Sequence, residues 1–232
     1  MARGKHYKAS VEKVSQKLSY GLEEAVKLIK ETGKTKFDST AEIHLSLNID
    51  PTKADQALRG TLSLPHGTGR MVKVAAIVSD DKVKLAKEAG ADEAGLEDLV
   101  AEFSTGNIPY DFIVATPDVM KHLAKVAKVL GQKGLMPNPK AGTVTDDIAK
   151  TIKELKAGRL EYRNDKQGNI HSVFGKVSFK EEELLNNLKS FLRILRDAKP
   201  SAVKGSFIKS ITLTTTMGPG IKLDVNQVLK EL

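Results

Sequence analysis

The sequence predicts two domains of mixed class, an α+β domain built from both ends of the chain and an α/β domain inserted between them. Three observations predict it. Alternating polar and apolar residues mark half-buried strands toward both ends of the 232-residue chain. In the middle, largely apolar runs alternate with segments of helical spacing, the pattern of a small parallel sheet covered on both faces. Neither end alone carries enough strands for an independently stable sheet, so the two ends complete one another.

Residues 1–17 lack clear periodicity and read as a basic, partly mobile arm. Leu22, Ala25, Val26 and Ile29 then follow helical spacing up to a stop at Gly33. The period changes to two at Ala41, Ile43, Leu45, Leu47 and Ile49, which alternate with Glu42, His44, Ser46 and Asn48 up to Asp50-Pro51. Thr61–Gly69, broken by Pro65, Gly67 and Gly69, reads as a connector at a domain edge.

Val72–Val78 is a largely apolar run suited to a doubly buried strand. Helices are expected over Lys82–Glu88 and around Leu96–Phe103, followed by a buried strand at Phe112–Ala115. Pro117 stands where a helix can start, ahead of Val119, Leu123, Val126 and Leu130. A Gly/Pro-rich loop, Gly131–Gly142, precedes a helix from about Asp146 to Lys156. This middle part reads as a three-layer, Rossmann-like unit.

Beyond Gly158, Gly168-Asn169 can turn a hairpin between Arg159–Arg163 and Ile170–Phe179. Glu181–Ala198 is the strongest helix, with Leu184, Leu185, Leu188, Phe191, Leu192 and Leu195 on one stripe and three glutamates at its start. Phe207–Met217 is a long β-branched strand, and Gly218-Pro219-Gly220 turns the chain into a last strand near Ile221–Val225. The expected boundaries are 1–67 plus 160–232 for the discontinuous domain and 68–159 for the insert.

The chain carries a formal charge of +8 and a pI near 9.4, which points to a polyanionic partner. Net charge is +3 over residues 1–67, +1 over 68–159 and +4 over 160–232, so the excess lies at the ends. No run approaches the roughly 18 apolar residues of a membrane span, and the polar start shows no secretory signal. Cysteine is absent, which removes disulfides, thiolate metal sites and thiol catalysis. A cytoplasmic, non-membrane protein is expected.

Chemistry of the catalytic kind is not indicated. His6, His44, His66, His122 and His171 are scattered without metal-ligand spacing, and His44 falls on the polar face of its strand as a surface histidine. Asp80-Asp81 and Asp146-Asp147 stand at helix starts, where capping accounts for them. A phosphate cradle around Gly131, Lys133 and Gly134 would give a nucleotide-binding α/β enzyme, but Pro137 and Pro139 lack N–H groups and no lysine-serine pair follows. Neither a cofactor nor a metal is expected.

Three polar-basic surfaces remain. Lys34–Thr40 sets Lys36 and Phe37 beside hydroxyls, including that of Thr40; Phe37 either caps the core or packs on sugars and bases. Arg163–Lys166 with His171 and Lys176 forms a second cluster. In the third, Ser210, Thr212, Thr214 and Thr216 share one strand face that ends in Met217-Gly218-Pro219. There glycine lets the backbone approach a ligand closely, and hydroxyl rows suit the 2′-hydroxyls of A-form RNA.

The segments Lys36-Phe37-Asp38, Leu64-Pro65-His66-Gly67, Gly134-Leu135-Met136-Pro137-Asn138-Pro139-Lys140-Ala141-Gly142-Thr143-Val144, Arg163-Asn164-Asp165-Lys166 and Thr214-Thr215-Thr216-Met217-Gly218-Pro219 occur in this order. Together they closely resemble the family of bacterial large-subunit ribosomal protein one, along essentially the whole chain. The resemblance implies two domains joined by a hinge, the first made of both chain ends. It implies binding to the large-subunit rRNA stalk beside the tRNA exit site, help in releasing deacylated tRNA there, and repression of the protein's own operon by binding its mRNA. The free protein would be a monomer. The RNA surface it implies comprises Lys36, Phe37, Thr40, His171, Lys176, Ser210, Thr216, Met217 and Gly218, and the polar clusters add Arg163 and Thr212 to the expected site.

Overall fold

A computed structural model describes residues 4–14, 19–53, 55–106 and 108–232. Strand Thr40–Leu47 (β1) alternates half-buried and buried residues along its whole length, as its period-two sequence requires. Its own part of the chain offers it no partner in the sheet. One edge pairs antiparallel with Asn169–Lys176 (β7), and the other pairs antiparallel with Ile208–Thr215 (β8). Ile221–Leu223 (β9) completes the order β7-β1-β8-β9. Tyr20 covers the outer edge of β9, donating its N–H to the Lys222 carbonyl at 3.0 Å.

The apolar side of this sheet, Ala41, Ile43, Leu45, Ile211, Leu213 and Ile221, is fully buried. Helices Leu22–Thr32 (α2) and Glu181–Asp197 (α8) pack against the sheet and against each other. Helix α8 starts where the Glu183 carboxylate accepts the Lys180 N–H at 2.9 Å, and it buries Leu184, Leu188, Phe191, Leu192 and Leu195. A polar residue, Asn187, sits among them at 0% exposure. Its Nδ2 donates to the Gly67 and Phe174 carbonyls, both at 2.9 Å, and its Oδ1 accepts the His66 N–H at 3.0 Å. Asn187 thus latches the connector of residues 64–67 and strand β7 to the helix, with its side-chain groups satisfied.

The chain divides into two compact units, Met1–Gly69 with Tyr162–Leu232, and Arg70–Glu161. In the second, Val74–Ile77 (β3) lies between Glu93–Gly95 (β4) and Phe112–Ala115 (β5) in a parallel sheet. Every residue of β3 is buried. Ala75 and Ile77 join Leu99 and Phe103 of Glu97–Ser104 (α4) and Leu123 and Leu130 on one side, while Val74 and Ala76 join Ala86, Ile148, Ile152 and Leu155 on the other. Two separate cores explain why this strand reads as an apolar run. The fold is therefore α+β for the sheet built from both chain ends and α/β in three layers for the insert.

Several expectations are corrected. Lys5–Lys13 (α1), expected as a mobile arm, is a helix that packs on α2 and buries Ser10; residues 1–3 and 15–17 lie outside the described residues. The expected helix from Pro117 is broken into a 3-10 turn at Pro117–Val119 and two short helices, Met120–Leu123 (α5) and Ala127–Lys133 (α6). Strand Arg59–Ser63 (β2) runs into the start of the expected connector and pairs with Arg159–Arg163 (β6). Consequently β6 and β7 do not form the expected hairpin. The turn between them exists, with Gly168 at φ +79, but its strands enter different sheets and share only an Asn164–Ile170 bridge. Asp147 does cap its helix, Ile148–Lys156 (α7), accepting the Lys150 N–H at 3.2 Å. Asp80 and Asp81 instead lie in the first turn of Asp80–Glu88 (α3), where the helix dipole favours acids. The C-terminal residues Val225–Glu231 (α9) form a helix capped by Asp224, whose carboxylate accepts the Asn226 and Gln227 N–H groups.

Two of these contacts have measurable consequences for stability. Asn187→Ala leaves two carbonyls and an N–H without partners and should cost roughly 3 kcal/mol; urea unfolding would show a lower midpoint at an unchanged slope. Thr215 is buried on β8 with its hydroxyl lacking a hydrogen-bond partner. Thr215→Val keeps the shape and removes that orphan group, so the midpoint should rise by the equivalent of about 1 kcal/mol.

Candidate nucleic-acid interface

The side of the four-stranded sheet opposite α2 and α8 carries the period-two partners of the core residues. Strand register places Ser46 beside Asn169 and Ser210 at one end, and His44 between His171 and Thr212 in the middle. Glu42 lies between Val173 and Thr214, and Thr40 beside Lys176 at the far end. On β9, Lys222 stands opposite Thr212. These side chains are half-buried or exposed, so one face presents hydroxyls, amides, imidazoles and a few charges in rows about a strand spacing apart.

At the Thr40 end three segments are tied together. The Thr40 N–H donates to Thr216 Oγ1 at 3.0 Å, and the Thr216 N–H donates to the Thr40 carbonyl at 3.1 Å. Lys176 Nζ donates to Thr40 Oγ1 at 2.8 Å. Asp38 accepts from the Ser178 backbone at 3.1 Å and from its hydroxyl at 2.8 Å, while Thr35 and Ser39 share a hydroxyl contact of 2.7 Å. The polar loop between α2 and β1 is thereby stitched to the ends of β7 and β8. Two large apolar side chains stand out from this stitched end, Phe37 at 52% exposure and Met217 at 65%. Of the two readings of Phe37, a cap on the core is thus excluded.

Gly218 follows in a turn closed by its own N–H on the Thr215 carbonyl at 2.9 Å. A Cβ at Gly218 would overlap Thr215 Oγ1, so the turn admits glycine for want of space. Thr214 Oγ1, on the open face, lies 3.3 Å from the Gly218 carbonyl and supports the same turn.

The expected site residues separate into three groups. Lys36, Phe37, Thr40, Lys176, Thr216, Met217 and Gly218 belong to the stitched end, whereas His171, Thr212 and Ser210 run back along the open face. Arg163 stands apart, because it ends β6 and not a strand of the four-stranded sheet. The neighbouring turn is closed by side-chain hydrogen bonds. Asp165 Oδ1 accepts the N–H groups of Asn169 at 2.7 Å and Gln167 at 2.8 Å, and the Asn169 bond is the main reason its carboxyl is held below the ordinary range. Glu42, His44, Ser46, Asn169 and Lys222 were absent from the expected set. The alternation in β1 places the first three on the open face; the strand partners that join them to His171, Thr212 and Lys222 come from pairing alone.

In the inserted unit, Lys133 Nζ donates to the Gly106 carbonyl at 2.8 Å, and Gly134, at φ +72, ends α6. The local motif there is a helix stop and not a phosphate cradle. Asn138 and Thr143 bind one another across the loop, the Asn138 N–H donating to Thr143 Oγ1 at 2.8 Å, and the Ala115 N–H donates to the Thr143 carbonyl at 2.9 Å. The GLMPNPKAGTV run is accordingly an ordered loop pinned to the end of β5.

Residues 28–219 match the Ribosomal protein L1p/L10e family. The large ribosomal subunit protein uL1 of Onion yellows phytoplasma (strain OY-M) is 50% identical over 224 residues, covering 97% of this chain and 97% of that protein. That of Thermus thermophilus is 48% identical over 222 residues, covering 95% and 97%, and that of Chlorobaculum tepidum is 49% identical over 220 residues, covering 95% of each. A match over most of the length, with relatives near half identity from end to end, establishes that this chain belongs to the ribosomal protein L1p/L10e family, a family of ribosomal proteins and not of enzymes.

Proposed function

We propose that this protein is a structural constituent of the large ribosomal subunit in the cytoplasm and binds the rRNA stalk beside the tRNA exit site. The observation that carries the reading is the stitched sheet end, where Phe37 and Met217 stand exposed beside a row of hydroxyls. Exposed apolar groups ringed by fixed polar partners are the usual anchors of an interface, and the names of the relatives supply its ribosomal setting. The RNA-binding domain comprises residues 1–67 and 160–232, with 68–159 inserted.

Each group has a separate task in this reading. Lys36 and Arg163 supply attraction to phosphates. Thr40, Ser210, Thr212 and Thr216 meet 2′-hydroxyls and sugar oxygens across a shallow minor groove, a mode that reads A-form shape. Lys176 divides its donors between Thr40 and RNA, and His171 extends the surface along β7. Gly218 allows the backbone to approach closely, and Phe37 and Met217 pack on sugars or bases. By family resemblance, the same surface binds the messenger of the protein's own operon and represses its translation, and the ribosome-bound protein assists release of deacylated tRNA. Free of RNA, the protein is a monomer.

The direct test is affinity for a stalk-rRNA fragment against an unrelated duplex at one salt concentration. Met217→Ala and Thr216→Val should each weaken the specific complex by about 1–3 kcal/mol while leaving duplex binding nearly unchanged. Equal affinity for the two RNAs in the unmodified protein would defeat the reading. Lys36→Ala should reduce the slope of log affinity against log salt by about one unit, since one phosphate contact is lost.

A further inference from the structure

His44 and His171 face one another across β1 and β7 at directly paired positions, with their Nδ1 atoms 2.8 Å apart. The ring centres are 5.0 Å apart, which sets both Nδ1 atoms close to the line joining them. One nitrogen must therefore hold a proton and the other a free lone pair. Each far nitrogen meets a carboxylate. His44 Nε2 lies 3.7 Å from Glu42, and His171 Nε2 lies 3.7 Å from Asp165. The four groups form a line across the open face: carboxylate, imidazole, imidazole, carboxylate.

With a single positive charge on the pair, one Nδ1–H is hydrogen-bonded to the other ring and each far N–H has a carboxylate at ion-pair distance. A second proton has nowhere to go but the free Nδ1 lone pair. It would break the ring-to-ring hydrogen bond and set two imidazolium ions side by side. Burial, and next the proximity of His171, hold His44 below the ordinary histidine range, while Glu42 acts in the opposite sense. Among the other groups around the pair, Thr212 opposes His44 on β8 and is uncharged, and Lys222 on β9 opposes Thr212 and adds positive charge. Nothing on these strands offers the second proton a compensating anion beyond the two carboxylates already used.

We propose that His44 joins His171 in contacting an RNA phosphate on the open sheet face, and that the pair takes up one further proton when RNA binds. A phosphate seated between the rings supplies the missing anion: each Nδ1–H turns from its neighbour to a phosphate oxygen, and both far N–H groups keep their carboxylates. The linkage has a fixed sign. Because the bound state holds one more proton than the free state, affinity rises as pH falls, by at most about tenfold per pH unit for one proton. This inference rests on the RNA-binding reading above and adds its regulation by pH.

The experiment is a titration of the full chain with a stalk-rRNA fragment at pH 7.5, 6.8 and 6.0, at constant ionic strength. Affinity is expected to rise by roughly five- to twentyfold across that range, within the one-proton limit. Calorimetry at pH 6.8 in buffers of different ionisation enthalpy should show net proton uptake on binding. His44→Gln and His171→Gln each remove the partner that makes the second proton costly in the free protein and useful in the bound one, so either should flatten the pH dependence, whatever its absolute affinity. A pH-independent affinity in the unmodified protein would overturn the proposal, as would an unaltered slope in both variants, which would assign the proton to His6, His66, His122 or the RNA. Failure to bind the fragment at any pH would overturn the RNA-binding reading instead.

Discussion

Strand β1 must find both of its neighbours at the other end of the chain. It pairs with β7 on one edge and β8 on the other, across more than a hundred residues of intervening sequence. The sheet, the two helices that cover it and the open face opposite them depend on that closure, because a lone strand with one small helix buries too little apolar surface to persist. Asn187 reinforces the closure from behind. It binds the connector at His66 and Gly67 and the strand at Phe174 with one side chain, so the first segment is held to the last by directional bonds as well as by apolar packing.

The same closure makes the polar face. No strand carries it whole: β1 contributes Thr40, Glu42, His44 and Ser46, β7 contributes Asn169, His171 and Lys176, and β8 contributes Ser210, Thr212 and Thr214. Register is what aligns them, and a slip of one residue in either pairing would turn the whole set into the core. The stitched end adds rigidity where the exposed apolar residues stand. Thr40 and Thr216 exchange hydrogen bonds, and Asp38 binds Ser178 through both of its oxygens. Phe37 and Met217 are therefore presented from a fixed frame, which lowers the ordering cost of any partner that packs on them.

Much of this was legible in the residues alone. The stripe of Leu184, Leu188, Phe191, Leu192 and Leu195 specifies α8 because a 3.6-residue period over seventeen residues has no other solution. The run Phe112–Ala115 and the alternation in β1 were equally plain. Other features had no local signal. Strand β4 is three residues, Glu93-Ala94-Gly95, held in the sheet by β3 alone. The missed hairpin had the right turn residues but the wrong partners, because β6 and β7 belong to different sheets and pairing across long sequence separations is not written in a turn. The hydroxyl row of β8 was visible from its period, yet its junction with Glu42, His44 and Lys222 arises only in the assembled sheet. The exposure of Phe37 likewise needed tertiary structure, since an aromatic beside a strand is compatible with either side of a core.

The long-range pairing of β1 also sets an order of events during synthesis. The inserted unit, residues 70–161, has its three-stranded sheet and both of its cores within one contiguous stretch, so these can form while later residues are still being added. Strand β1 and the apolar stripe of α2 leave the synthetic machinery earlier and find no strands to complete them. At roughly 5–20 residues per second, β8 arrives on the order of ten to thirty seconds after β1. For that interval the growing chain carries an unclosed strand edge, a template on which other chains can pair. The polar face of the sheet therefore does not exist before β8 has been made, although β1, its central strand, was among the first parts of the chain to appear.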